Sequence, residues 1–192
     1  MRSALVATAR GSTARATLEF IRQAYGEALL ESVLARLGDE TREQVVSAAT
    51  TAELPYETLL AFWRAADEAL GAEHPRWMED AGAFAVGSLG QRLYGGLWRR
   101  QSPVELITQS VSLFRLYYHP GDMVPVEVEA ERAVLRLVGF DAMETLFCQR
   151  QTGGLRRAAE LSGGKDARVK HVRCVAHGDA YCEWEMTWRS RD

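Results

Sequence analysis

The sequence predicts an α+β protein in which a helical N-terminal region is followed by a β-β-α-β-β unit. Three observations support this fold class. Apolar residues recur at helical spacing from about Thr13 to Tyr118, the period changes to two after Gly121, and a further helical stretch separates two pairs of strand-like segments. We therefore divide the chain into an N-terminal helical extension, residues 1–75, and an α+β domain, residues 76–192.

Helical periodicity dominates the first part of the chain. Leu18, Ile21 and Tyr25 are three or four positions apart, which places them on one face of an α-helix. A later helix has a clear start at Ser102–Glu105. Its serine can cap the helix, its proline suits the first helical position, and its glutamate completes a capping box. We expect this helix to continue to Tyr118.

The period of two after Gly121 predicts strands. Val126 and Val128 alternate with glutamates, and the segment Val134–Val138 continues in apolar, mostly β-forming residues. Successive side chains of a strand point to opposite faces, so this alternation predicts two antiparallel strands with one face turned to the core.

The C-terminal segment predicts a helix followed by a hairpin. The helix covers Asp141–Leu161 and carries Cys148, and a pair of glycines closes it. The hairpin strands cover Arg168–Val175 and Tyr181–Trp188. A stretch of arginines and lysines that includes Arg150 is predicted to be a solvated face.

Composition and charge narrow the classes of partner. The chain has 192 residues, a net charge of −3 and a pI near 5.9, so no overall basic field favours nucleic acid or an anionic membrane. The start lacks the apolar stretch of a secretory signal, and no apolar run is long enough to span a bilayer. We expect a cytoplasmic protein in which three cysteines stay reduced, because an odd number does not form a disulfide framework.

The three cysteines are predicted to form one metal site. In a tight hairpin Cys174 and Cys182 would lie opposite each other, and Cys148 on the preceding helix would add a third sulfur. His171 is the expected fourth ligand, which makes structural zinc the expected cofactor. In a regular strand His171 and Cys174 point to opposite faces, so both can bind one ion only across a bulge or twist. His177 is the reserve donor, and unligated buried cysteines are the alternative.

This part of the chain resembles the 4-vinyl reductase domain family, to which the sensor domains of some aromatic-responsive bacterial transcription activators belong. The resemblance rests on Cys148, on His171 with Cys174, and on the run from Gly178 to Trp184. It covers about residues 77–188 and implies a zinc-binding, usually dimeric domain around an apolar pocket. Related folds include haem-dependent nitric-oxide sensors and trafficking-complex subunits.

Haem is not expected, because the Tyr-x-Ser-x-Arg motif of the haem sensors is absent, although His74 and His119 are candidate axial ligands. Four aromatic residues are expected to line the ligand pocket: Tyr94, Trp98, Phe114 and Tyr118.

No catalytic motif stands out in the sequence, so an enzyme is not expected. We expect a stand-alone sensory domain that binds a small apolar or aromatic molecule and acts as a homodimer or through a separate output protein. The alternatives are a ligand-free assembly subunit, an accessory protein of tetrapyrrole reduction, and a haem-based gas sensor.

Overall fold

A computed structural model describes residues 6–90, 92, 102–108, 113–142 and 144–190 of the chain. The N-terminal part is helical, as the periodicity predicts, and the buried faces of its helices form a core around Trp63. Its five helices are α1 (Gly11–Tyr25), α2 (Glu27–Leu34), α3 (Asp39–Ser47), α4 (Tyr56–Leu70) and α5 (Trp77–Ala85). A π-helical turn, Val86–Gly90, continues α5.

The structure also contains a small three-stranded sheet that the sequence pattern does not predict. Its central strand β1 (Thr8–Arg10) pairs antiparallel with β2 (Glu53–Pro55) and with β3 (Tyr118–His119). Strands of two or three residues are too short to show a period of two, so local sequence offered no signal for them.

The predicted helix from Ser102 to Tyr118 is only partly observed. Helix α6 covers Pro103–Thr108, and the Ser102 hydroxyl accepts a hydrogen bond from the Glu105 backbone N–H at 3.3 Å, as expected for the cap. Leu113–Leu116 is a 3-10 turn, and Tyr118 belongs to β3. The predicted helical end is wrong because strand pairing with β1 competes with helix at this point.

The C-terminal half has the predicted β-β-α-β-β order. Its four-stranded antiparallel sheet has the strand order β4-β5-β7-β6. The elements are β4 (Asp122–Val128), β5 (Arg132–Val138), α7 (Thr145–Leu161), β6 (Lys165–Arg173) and β7 (Glu183–Arg189). The fold class α+β is therefore confirmed.

Helices α5 and α7 pack against each other at very short range. A Cβ atom built on Gly153 of α7 would overlap the carbonyl oxygen of Glu79, and one built on Gly82 of α5 would overlap that of Arg150. Glycine at these two positions therefore lets the helix backbones touch, and this contact sets the position of α7 relative to the N-terminal helices.

One hydrophobic core cluster spans both sides of the predicted boundary at residue 75. It contains Tyr56 and Trp63 from the N-terminal side together with Phe147 and Trp184 from the C-terminal side. The division into residues 1–75 and 76–192 stays a prediction. Within the described residues, no helix combines the length and hydropathy needed to cross a membrane.

Candidate functional site

Four potential metal ligands lie together between α7 and the β6–β7 hairpin. Cys148 lies in the first turns of α7, His171 lies near the end of β6, and Cys174 and Cys182 flank the connection from β6 to β7. One donor atom from each of these four residues lies within 4.8 Å of the others. The tertiary structure thus brings together the residues that the sequence proposes as ligands.

An irregularity in β6 lets His171 reach the cysteines. His171 pairs with Trp184 and Arg173 pairs with Glu183, so Val172 is an extra residue on the β6 side. Such a bulge changes which face the following residues present, which removes the conflict between His171 and Cys174 in a regular strand.

The predicted tight hairpin is wrong in detail. Cys174 and Cys182 do not pair across the strands, because β6 ends at Arg173 and β7 begins at Glu183. A 3-10 turn, Val175–His177, stands between them. Its backbone is tied to Cys174, whose carbonyl oxygen accepts from the N–H groups of His177 and Asp179 at 3.0 and 3.1 Å.

Hydrogen bonds within the cluster favour a thiolate at Cys182. The Sγ atoms of Cys148 and Cys182 are 3.6 Å apart. Either sulfur can be the donor in this contact. With Cys148 as the donor, the hydrogen bond lowers the pKa of Cys182 and raises the pKa of Cys148. The backbone N–H of Val175 also donates to Cys182 at 3.5 Å. A thiolate is the form of cysteine that binds metal ions.

His171 is held in place without a hydrogen-bond partner for Nε2. Its ring stacks on Trp184 with centroids 4.7 Å apart, and its buried Nε2 has no partner among the described residues. Trp184 is in turn fixed by its indole N–H, which donates to Thr152 of α7 at 3.0 Å. The reserve donor His177 is exposed and lies outside the four-residue group.

Three cysteine sulfurs and one imidazole are the donor types of closed four-ligand sites, in which no coordination position is left for a reactive water. The donors come from α7, β6 and the β6–β7 connection, so an ion bound here would crosslink the helix to the hairpin.

A separate cavity of about 210 Å³ lies between the helical part and the large sheet. Its lining residues belong mostly to α1, to α5 and the π-helical turn after it, to α6 and α7, to the 3-10 turn Leu113–Leu116, and to strands β3, β4, β5 and β7. Most lining side chains are apolar: Ala16, Ala85, Val86, Leu106, Ile107, Leu113, Phe114, Met123, Val124, Leu135, Leu155, Ala158 and Met186. Ser12, Thr13, Asp122, Arg150 and Gln151 are its polar members.

Two of the four predicted pocket residues line this cavity. Phe114 and Tyr118 are both buried, and their rings pack 5.3 Å apart. Tyr94 and Trp98 lie outside the described residues, so their places in the predicted pocket stay predictions.

The polar groups of the cavity are not predicted from the sequence. Arg150 was expected on a solvated face, but this residue is only 4% exposed, so that prediction is wrong. A signal was present, since Phe147, Arg150, Gly154 and Ala158 follow the spacing of a helical stripe that faces a core. Ser12, also buried, had no such signal.

The cavity lining offers few ligands for a haem iron. Haem proteins use histidine, cysteine, methionine or tyrosine at the iron. No described lining residue is a histidine or a cysteine, and the candidate axial ligands His74 and His119 are exposed and lie elsewhere. The described lining therefore does not fit a haem held by imidazole or thiolate. Of the side-chain types that bind haem iron, the described lining offers tyrosine and methionine, such as Tyr118 and Met123.

The comparisons with known proteins identify the fold. No family model matches the chain, and no curated protein matches its sequence; the 4-vinyl reductase resemblance thus stays a prediction. An H-NOX protein mutant from S. oneidensis in the Fe(II) ligation state superimposes with a TM-score of 0.74 at 13% identity, over 95% of this chain and 97% of that chain.

Two further solved structures from the H-NOX family are also similar in fold to this chain. An Fe(II) unliganded H-NOX mutant from K. algicida has a TM-score of 0.71 at 10% identity, with 95% and 97% of the two chains covered. A structure that probes haem distortion in the H-NOX family has a TM-score of 0.68 at 10% identity, with 95% and 96% covered.

These matches correct the cofactor predicted from the sequence. The prediction of structural zinc without haem is wrong, because the structures that share the fold are haem proteins. The missing Tyr-x-Ser-x-Arg motif did not separate this chain from that fold. At 10–13% identity the matches establish architecture, and the chain has the H-NOX fold.

Proposed function

We propose that this chain is a sensory domain that binds a small molecule in the cavity between its helical part and its large sheet. The observation that carries the proposal is the cavity itself, about 210 Å³ in volume, with mostly apolar walls and a few polar groups. This is the usual composition of a small-molecule site. The H-NOX fold supports the proposal, because the matching structures include an H-NOX protein from S. oneidensis in the Fe(II)NO ligation state.

The volume of the cavity couples ligand binding to the stability of the fold. The apolar walls of the unfilled cavity lack contacts that a ligand of matching shape would supply, so ligand binding stabilises the folded state. Because the walls come from both the helical part and the sheet, filling the cavity favours one relative position of these elements. That shift would pass to a second copy of the chain or to a separate output protein.

Haem is the cofactor to test first, since the fold is that of haem proteins. A haem bound here would make the chain a gas sensor, with a tyrosine or methionine as the iron ligand available from the described lining. Hemin titration followed by absorbance detects such binding through the Soret band.

The test of the proposal uses the purified full chain with hemin and, separately, with benzyl alcohol as a small aromatic probe. Binding of the aromatic probe is followed by ligand-observed NMR. Ala85→Leu narrows the cavity, because Ala85 is a lining residue, while Ala28→Leu makes the same change at an exposed helical position. We expect one of the two probes to bind, Ala85→Leu to weaken that binding, and Ala28→Leu to leave it unchanged.

Failure of both probes to bind, or equal binding by the two leucine variants, would contradict a cavity ligand and favour the ligand-free assembly subunit. Light scattering with and without the probe measures whether occupancy changes the oligomeric state. A shift between monomer and dimer would support signalling through a second copy of the chain.

We also propose that Cys148, His171, Cys174 and Cys182 bind one metal ion that crosslinks α7 to the β6–β7 hairpin. Support comes from the 4.8 Å limit on their mutual donor distances and from the buried His171 Nε2 without a partner among the described residues. Elemental analysis by mass spectrometry of the purified protein identifies the metal.

Cobalt(II) is the probe for this cluster. Its absorbance spectrum changes when thiolates bind it in tetrahedral geometry, so an absorbance titration measures binding to the cysteines. We expect the wild type to bind one equivalent, Cys182→Ser to bind much more weakly, and the matched His177→Ala variant to bind like the wild type. Retention of wild-type cobalt affinity by Cys182→Ser would refute the assignment.

A further inference from the structure

A buried arginine at the wall of the cavity has no acidic partner among the described residues. The Arg150 side chain extends from α7 and donates a hydrogen bond to the Thr17 hydroxyl at 3.2 Å. Its guanidinium carbon also lies 5.2 Å from the centre of the Trp63 ring. Within the described part of the chain, no carboxylate forms an ion pair with Arg150. Its contacts in this buried position are therefore all to neutral groups, namely the hydroxyls of Thr17 and Tyr118 and the face of the Trp63 ring.

The buried guanidinium of Arg150 lacks an opposite charge among the residues that the structure describes. A guanidinium stays protonated inside proteins, and a buried charge is normally paired with an opposite charge or bound to a ligand. Tyr118 beside it does not serve as the counter-ion. Burial raises the pKa of Tyr118, and Arg150 only partly opposes this effect, so the phenol stays neutral at physiological pH.

The start of α1 faces the same cavity. Ser12 is 2% exposed, and its hydroxyl has no hydrogen-bond partner among the described residues. The helix begins without a side-chain cap and without an acidic residue in its first turn. The first two N–H groups donate to the carbonyl oxygens of Ala52 and Thr50. The helix end therefore presents the Ser12 hydroxyl and the positive end of its dipole to the cavity.

The carboxylate that lines the cavity is already neutralised. Asp122 lies 2.6 Å from Arg115 in an ion pair, and it also accepts the backbone N–H of Met123 at 2.8 Å. The charge left without a partner at the described cavity wall is thus the positive charge of Arg150.

We infer that the cavity takes a small apolar compound with a carboxylate group, which Arg150 and the Ser12 hydroxyl hold while the apolar part fills the rest. This inference rests on the proposed cavity function and names its ligand class. The cavity volume fits this ligand class. A dry cavity of about 150 Å³ holds benzene, and the 210 Å³ here leaves room for a carboxylate on the ring. Benzoate is therefore the probe.

The experiment compares benzoate with benzyl alcohol, which has a similar shape but no charge, by calorimetry and ligand-observed NMR on the full chain. Inorganic phosphate serves as the anion without an apolar part. We expect benzoate to bind about tenfold to hundredfold more tightly than benzyl alcohol, as a charged hydrogen bond allows. We expect phosphate to bind much more weakly than benzoate.

Three variants test whether Arg150 and Ser12 hold the carboxylate. Arg150→Gln should remove the preference for benzoate and leave the affinity for benzyl alcohol within about threefold of the wild type. Arg156→Gln is the matched control on the same helix, since Arg156 pairs with Asp80 and does not line the cavity. Ser12→Ala keeps Arg150 and removes only an unpartnered hydroxyl. It should weaken benzoate about threefold to tenfold while leaving the protein folded.

The outcomes separate this inference from the proposed function. Equal affinities for benzoate and benzyl alcohol, or a benzoate preference that survives in both Arg150→Gln and Ser12→Ala, would refute the carboxylate while leaving a cavity ligand in place. Phosphate binding as tight as that of benzoate would show a simple anion site and also refute it. Absence of binding by every probe, hemin included, would refute the cavity function as well.

Discussion

Replacing Tyr56 by phenylalanine removes a single oxygen from the core and tests how the N-terminal helices are joined to the rest of the protein. The hydroxyl donates to the carbonyl oxygen of Ala142 at 2.9 Å, and both residues are 1% exposed. The ring also makes edge-to-face contacts with Trp63 and Phe147, which phenylalanine retains. The substitution therefore removes only the hydrogen bond that joins the two sides of the predicted domain boundary at residue 75.

The Ala142 carbonyl oxygen also accepts the backbone N–H of Glu144 at 2.6 Å, so the substitution leaves it with one donor. The expected cost is therefore that of one hydrogen bond, about 0.5–1.5 kcal/mol in the free energy of unfolding. Urea denaturation at neutral pH measures it as a lower midpoint with an unchanged slope. Tyr25→Phe is the matched control, because Tyr25 is half-buried and its hydroxyl has no hydrogen bond to a described residue. We expect that variant to stay within about 0.5 kcal/mol of the wild type.

The same hydroxyl predicts a pH dependence. Burial raises the pKa of Tyr56 well above that of an unfolded tyrosine, with the neighbouring Tyr118 adding to the shift. Above pH about 10 the unfolded chain loses this proton while the native protein keeps it, so stability falls by about 1.4 kcal/mol per pH unit. Tyr56→Phe lacks this loss, whereas Tyr118 contributes equally to both proteins. The penalty of the variant should therefore be about 1.4 kcal/mol smaller at pH 11 than at neutral pH.

Two results would refute this reasoning. One is a Tyr56→Phe penalty no larger than that of Tyr25→Phe, which would mean that the bond to Ala142 contributes nothing. The other is a penalty that stays constant as the pH rises past that of an ordinary tyrosine, which would mean that the phenol is not buried in the native state.

Two further substitutions test the packing. Gly153→Ala should destabilise the protein by about 1–3 kcal/mol in thermal or urea unfolding, because its Cβ would overlap the Glu79 carbonyl oxygen. Gly154→Ala, whose Cβ would make an ordinary 3.5 Å contact, should be neutral or stabilising, and equal effects of the two would contradict the helix contact. Leu59→Ala should cost about 2–5 kcal/mol, since Leu59 is fully buried. The exposed Val46→Ala should cost under about 0.5 kcal/mol, and a similar loss in both would contradict the assigned core.

Much of the fold follows from local pattern. The alternation around Val126 and Val128 predicted a strand, and β4 is one. The predicted core-facing side is wrong at Val126, which is 41% exposed because the pairing with β5 is irregular between Pro125 and Glu127. Helical spacing likewise identified the helical character of the N-terminal part. The three strands of the small sheet escaped prediction, since segments as short as Thr8–Arg10 owe their conformation to partners distant in sequence.

The ligand types were visible in the sequence, but their geometry was not. Cysteines and a histidine near one end of the chain pointed to a metal cluster, and residue chemistry alone justified that. Whether His171 and Cys174 could face one point depended on the bulge at Val172, which strand pairing with β7 creates. Local sequence does not encode such a register shift.

By itself, the sequence determined the α+β class, the β-β-α-β-β order and the identity of the candidate metal donors, because each depends on residue type and spacing. Only the tertiary structure decided that Arg150 is buried, that Ser12 of a distant helix lines the same cavity, and that the architecture is the H-NOX fold. The physical reason is that burial and cavity shape depend on how helices and sheet pack, and close contacts such as that of α5 with α7 arise between residues far apart in the chain.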